Sequence, residues 1–139
     1  MGRGKKVQKT RTVLLIDDEV PWLEAMSLAM QKDSYKIITA ESGEAAIKTL
    51  QQKKPDIILS DVRMPVMNGF DLFEQVRRIP KLKDVPFIFM SSLDDYDARK
   101  TAKELGADDY VEKPYDTEDV KHIVLDLLTR FKNKQASIP

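Results

Sequence analysis

Three short segments, residues 12–16, 56–60 and 86–90, are nearly continuous apolar runs without polar alternation. A strand with one face in water alternates apolar and polar residues, whereas a strand covered on both faces does not. Stretches with helical spacing lie between and after these runs, and strand and helix patterns alternate five times along the chain. Such alternation predicts an α/β fold, a doubly wound five-stranded parallel sheet with helices on both faces. The other two strands are expected at residues 36–39 and 109–112, and the helices at 21–31, 42–52, 70–78, 96–105 and 117–131. Pro21 sits in a first helical turn, where its missing N–H costs nothing. Pro80 stops the third helix, and Gly106 suits the C-terminal cap of the fourth. In the last helix, Val120, Ile123, Val124, Leu127, Leu128 and Phe131 form one apolar stripe at helical spacing.

The polar residues gather where these strands end. Asp17-Asp18 follow the first strand, Asp61 the third, Ser91 the fourth and Lys113-Pro114 the fifth. In an open parallel sheet the functional crevice lies outside the carboxyl ends of the strands. These five side chains are therefore expected to converge on one shallow site, anionic on one side and cationic and hydrogen-bonding on the other. Carboxylates so close together resist joint ionisation unless a cation offsets them. A hard, oxygen-liganded ion such as Mg²⁺ suits the acidic half, with a phosphoryl group beside it. Taken singly, each element has a plainer reading: Asp17-Asp18 as a helix cap, Asp61 as a turn residue, Lys113 as an exposed lysine before a helix.

Composition narrows the classes further. With 139 residues the chain is one ordinary domain, large enough for a proper core. It has no cysteine and one histidine, His122, which excludes disulfides, thiolate metal sites and multi-histidine centres. No apolar run nears the roughly 20 residues needed to span a bilayer, and residues 1–12 lack the apolar segment of a signal peptide. A cytoplasmic protein without membrane association is expected. The net charge of zero is uneven: Arg3, Lys5, Lys6, Lys9 and Arg11 face no acid within residues 1–12. Residues 1–11 are read as a solvated basic arm, with nucleic-acid contact as the other reading. Residues 12–131 form the domain, and 132–139 a polar tail or linker.

At these residues the chain resembles the receiver domain of two-component response regulators. The matching stretches are Val13-Leu14-Leu15-Ile16-Asp17-Asp18-Glu19, Ile57-Ile58-Leu59-Ser60-Asp61-Val62-Arg63-Met64-Pro65 with Asn68-Gly69, Phe87-Ile88-Phe89-Met90-Ser91-Ser92, and Gly106-Ala107-Asp108-Asp109-Tyr110-Val111-Glu112-Lys113-Pro114. The resemblance implies a flavodoxin-like strand order 2-1-3-4-5 and a phosphorylatable switch, not an enzyme acting on other substrates. It implies Asp61 as the phosphoryl acceptor, and Mg²⁺ held by Asp18, Asp61 and the backbone carbonyl of Arg63, with Asp17 acting through water. It implies Lys113, aimed by a cis bond before Pro114, and the Ser91 hydroxyl as phosphoryl-oxygen partners. Ser91 and Tyr110 would form the switch, while Arg63 and Leu93 would flank the path of the attacking water and prolong the phosphorylated state. Arg63 would do so by lying over the phosphoryl group.

The implied phosphoryl donor is a sensor histidine kinase or a histidine phosphotransfer protein. The implied reader is an output domain or partner docking on the surface of the fourth helix, fifth strand and fifth helix, or a phosphorylation-dependent homodimer; the receiver itself is not expected to bind nucleic acid. In the winged-helix transcription-factor subfamily, an arginine of the fifth helix pairs with an aspartate of the fifth strand across a dimer. Ile123 stands at that place here, which argues against that contact.

Other classes meet specific obstacles. P-loop and Rossmann sites need clustered glycines, yet beyond residue 12 the glycines are Gly43, Gly69 and Gly106, each alone. A flavodoxin-type site needs hydroxyls where Asp17-Asp18-Glu19 would repel phosphate. A haloacid-dehalogenase-like Mg²⁺-dependent phosphatase needs a second aspartate where Arg63 stands. A constitutive interaction module would not need the full set of chemical residues.

Overall fold

The computed structural model describes residues 10–32, 35–92, 94–113 and 117–136. The elements are β1 (Thr12–Ile16), α1 (Val20–Gln31), β2 (Lys36–Ala40), α2 (Gly43–Leu50), β3 (Ile57–Asp61), α3 (Gly69–Arg77), β4 (Phe87–Ser91), α4 (Tyr96–Glu104), β5 (Asp109–Glu112) and α5 (Thr117–Ala136), with a 3₁₀ turn at Pro80–Leu82. All strand pairs are parallel, in the order β2-β1-β3-β4-β5. The fold is the doubly wound five-stranded sheet expected from the apolar runs.

The continuous apolar strands feed two cores at once. Leu14, Ile16, Ile58, Phe87 and Phe89 pack against Ala46 and Leu50 of α2, Leu72, Phe73 and Val76 of α3, and Ala98 and Ala102 of α4. Val13, Leu15, Ile57, Leu59, Ile88 and Met90 pack against Leu23, Met26 and Met30 of α1 and Val124, Leu127 and Leu128 of α5. Neighbouring residues on one strand point to opposite faces, so both faces of these strands are apolar because both are covered. Phe73, Phe87 and Phe89 form an aromatic cluster on the first face, with Phe73 edge-on to Phe87 at 5.2 Å.

Local chemistry fixes the ends of the helices. Ser42 accepts the Ala45 N–H and starts α2. Asn68 and Asp71 form a reciprocal capping box at α3. Asp95 accepts the Ala98 N–H at the start of α4. Gly106, at φ 76, ends α4 by letting the Ala107 and Gly106 N–H groups reach the Ala102 and Lys103 carbonyls, the Schellman pattern that a left-handed glycine permits. Helix α5 continues to Ala136, five residues beyond the end expected from its apolar stripe. Lys132, Lys134, Gln135 and Ala136 are good helix formers, so propensity extends the helix beyond the end of the apolar stripe. The basic arm lies almost wholly outside the described residues.

Candidate functional site

Strand register lines up the chemistry. Ile16 is opposite Ser60 and Asp61 opposite Met90. Ser91 is opposite Glu112. Asp17, Asp61, Ser91 and Lys113 thus form a row across the carboxyl ends of β1, β3, β4 and β5. The row spans the β1–β3 boundary, where the winding of the chain reverses, the usual ligand crevice of such sheets. Asp61 and Ser91 are themselves the last residues of their strands, since Val62 N–H bonds to the Met90 carbonyl at 3.0 Å and Lys113 N–H to the Ser91 carbonyl at 2.7 Å.

The carboxylates of Asp17, Asp18 and Asp61 each place an oxygen within 4.8 Å of the others'. Asp17 is fully buried, Asp61 is 8% exposed and Asp18 is exposed. Burial, reinforced by the charges of Asp17 and Asp18 and only partly offset by Lys113, pushes the Asp61 carboxyl up to about 7. Burial raises Asp17 too, against the opposing pull of Lys113. One Asp17 oxygen, Oδ1, accepts the Glu19 N–H at 2.9 Å. The other, Oδ2, is paired with the Lys113 ammonium, whose Nζ lies 2.7 Å away. Three carboxylates whose oxygens gather this closely, two of them buried, fit a hard divalent cation that would offset their mutual repulsion.

Glycine brings the acceptor loop close. Gly69 N–H bonds to the Val62 carbonyl at 2.9 Å. A Cβ at Gly69 would collide with the Asp61 carbonyl oxygen and lie 3.1 Å from Val62 Cα. The Asn68-Gly69 step therefore caps α3 and also lets α3 start directly against the backbone of Asp61. Val66, in the same loop, takes φ 68, an outlier for a β-branched residue.

Lys113 is half-buried between Asp17 and Glu19, both of which it salt-bridges, with its ammonium 4.8 Å above the Trp22 ring. Burial draws its pKa down, but hydrogen bonds to the two carboxylates leave it raised. Ser91 is buried and donates its hydroxyl to Asp95 Oδ2 at 2.8 Å. The Arg63 side chain, expected over a phosphoryl group, is instead held by Asp95 through two bonds of 2.7 Å. Tyr110 is half-buried, with its hydroxyl 3.5 Å from the Asp95 carbonyl and the Arg99 guanidinium 5.3 Å from its ring centre. Leu93 and Pro114 lie outside the described residues.

Sequence reasoning missed Glu19, Trp22 and Asp95. Only Asp95 carried a local signal, an aspartate immediately before a helical pattern. In β5, Asp109 is salt-bridged by Arg130 of α5 in the same chain, a pairing that complements the absence of an arginine at Ile123.

The model of the response regulator receiver domain matches residues 13–125. A probable transcriptional regulator ycf27 of Cyanophora paradoxa is 32% identical over 91% of this chain and 52% of its own length. The alkaline phosphatase synthesis transcriptional regulatory protein PhoP of Bacillus subtilis is 32% identical over 86% of this chain and 49% of its own. The chain thus spans about half the length of these curated relatives. Among solved structures, chemotaxis response regulator CheY4 of Vibrio cholerae superposes with a TM-score of 0.76 at 29% identity, covering 88% of this chain and 99% of that one. Response regulator TrrA of Thermotoga maritima, solved in complex with Mg²⁺ and BeF, gives 0.72 at 29% identity over 85% of this chain and 99% of its own. With the fold and the carboxyl-end row in agreement, this chain belongs to the response regulator receiver domain family.

Proposed function

We propose that the chain is a signalling switch that accepts a phosphoryl group on Asp61 in the presence of Mg²⁺. The observation that carries this reading is the nearly buried Asp61 carboxylate at the end of β3, clustered with Asp17 and Asp18 and pushed up to about 7. Such a cluster is poor at staying ionised alone and well suited to sharing a divalent cation. Asp18, Asp61 and the Arg63 carbonyl would hold Mg²⁺ directly, with Asp17 acting through water. When bound, the ion supplies charge neutralisation at the carboxylates and a ligand site for phosphoryl oxygens.

An Asp61 oxygen attacks phosphorus of a phosphohistidine on a kinase or phosphotransfer protein. The new P–O bond forms as the P–N bond breaks, and the imidazole leaves with the electron pair. The product is an acyl phosphate. Lys113 has three N–H donors; Asp17 and Glu19 take two, leaving one for a phosphoryl oxygen. Ser91 would supply a second donor once its hydroxyl turns from Asp95. That turn frees space toward which Tyr110 can move, changing the face made by α4, β5 and α5 for an output domain or partner protein to read. The ligand can shift this equilibrium only by its differential contacts with the two forms.

The test is a time course of intact mass with acetyl phosphate, with and without Mg²⁺. A stable single-phosphoryl adduct that needs Mg²⁺ supports the switch. Catalytic release of inorganic phosphate without an adduct would instead indicate a phosphatase, and neither product a passive interaction module.

A further inference from the structure

One carboxylate ties together three parts of the site's rim. Asp95 Oδ1 accepts Ala98 N–H at 3.1 Å and Arg63 Nη2 at 2.7 Å. Asp95 Oδ2 accepts Arg63 Nε at 2.7 Å and the Ser91 hydroxyl at 2.8 Å. A serine hydroxyl has one proton to donate, and here it is spent on Asp95. Ser91 is 1% exposed, so water is not a ready substitute acceptor. Bonds to an ionised acceptor are the strong ones, so the proton is held firmly.

We propose that Asp95 is a positioning residue that restrains the switch: it withdraws the Ser91 hydroxyl from the acceptor site, and a phosphoryl group on Asp61 must win that hydroxyl back. This inference rests on Asp61 being the phosphoryl acceptor. Arg63 makes the restraint reversible. Its two bonds orient the carboxylate toward Ser91 but also draw charge from it, which weakens its hold on the hydroxyl. Once Ser91 leaves, Asp95 keeps Arg63 and the α4 cap, so the helix start is not left unsatisfied. Arg63 is two residues beyond Asp61, which makes the pair a tether between the acceptor loop and α4. Tyr110 completes the route outward, because its hydroxyl lies at the Asp95 carbonyl.

The experiment titrates the full chain, in Mg²⁺, with beryllofluoride, a tetrahedral stand-in for an acyl phosphate. The readout is fluorescence of Trp22, whose ring lies 4.8 Å from Lys113 Nζ. In Asp95→Asn, Oδ1 still caps α4, while the amide nitrogen in place of Oδ2 cannot accept from Ser91. Affinity should rise about 3- to 10-fold, the factor carried by one net hydrogen bond. Asp95→Ser caps α4 through its own hydroxyl, carries no carboxylate and should show the same gain, which covers an asparagine amide that turns round. In a Ser91→Ala background neither substitution should raise the affinity, whereas a purely structural role of Asp95 would act equally there. In the metal-free wild type, the Arg63 Nε–H should exchange slowly by NMR, and rapidly in Asp95→Asn. Unchanged affinity in both Asp95 variants, the same gain without Ser91, or a rapidly exchanging Arg63 Nε–H in the wild type would overturn the restraint alone. A wild type that binds no beryllofluoride would overturn it together with the acceptor role of Asp61.

Discussion

Replacing Asp61 by asparagine should stabilise the metal-free fold, and by an amount that depends on pH. The folded Asp61 carboxyl is pushed up to about 7, first by burial and then by the Asp17 charge, from an ordinary 3.8. Between these values the folded chain keeps a proton that the unfolded chain has released. Stability therefore falls as pH rises through this window, and the full cost is present above pH 7. At about 1.4 kcal/mol per pH unit, ionised Asp61 costs the fold at most on the order of 4 kcal/mol. Relaxation and water entry bring the expected gain in Asp61→Asn to about 2 kcal/mol at pH 8, or roughly 5–10 °C in Tm for a domain of this size. The assay is urea unfolding of both proteins in chelator at about pH 5 and about pH 8. Near pH 5 only about a third of the window from 3.8 to 7 has been crossed, so the variant's advantage there should be about a third of that near pH 8, where the full cost is present. Mg²⁺ should close the gap by binding the native wild type. A gap that is absent at high pH, or equal at both pH values, would refute the reasoning.

Other positions yield simpler expectations. Val66→Asn should raise stability by about 1 kcal/mol, because the left-handed backbone at φ 68 suits asparagine and Val66 is 92% exposed, so little packing is lost; an unchanged urea midpoint would count against strain there. Gly69→Ala should cost about 1–3 kcal/mol and lower the phosphorylation rate, since the new methyl group must displace the backbone of Asp61. Unfolding curves and adduct formation would show both effects. Asp108 Oδ2 accepts the Phe87 N–H and an Arg77 N–H, both at 2.8 Å. Asp108→Ala should cost about 1–3 kcal/mol by leaving the start of β4 without its partner, again read from urea unfolding.

The sheet was legible because its signals are local. Apolar runs such as Phe87-Ile88-Phe89-Met90 mark doubly covered strands without reference to any other part of the chain, and the parallel winding then sends their carboxyl ends to one edge. Strand limits at Asp61 and Ser91 were one residue short, because only a neighbour's carbonyl or N–H extends the ladder there. Side-chain direction was the part that could not be read. Lys113 pairs with Glu19 across 94 positions and Arg63 with Asp95 across 32, and no periodicity reports such pairings. The Arg63 side chain consequently faces α4 instead of the pocket. The end of α5 was missed for a different reason: Lys132 to Ala136 favour a helix by propensity, while the apolar stripe that marks burial stops at Phe131.

The most direct test of the central claim is site-resolved chemistry at the end of β3. After incubation with acetyl phosphate and Mg²⁺, borohydride reduces an acyl phosphate to the alcohol and leaves free carboxylates intact. Peptide mass spectrometry should then find the reduced residue at Asp61 alone, dependent on Mg²⁺ and absent from Asp61→Asn. Reduction at another carboxylate, or none under conditions where the wild type is folded, would contradict the account.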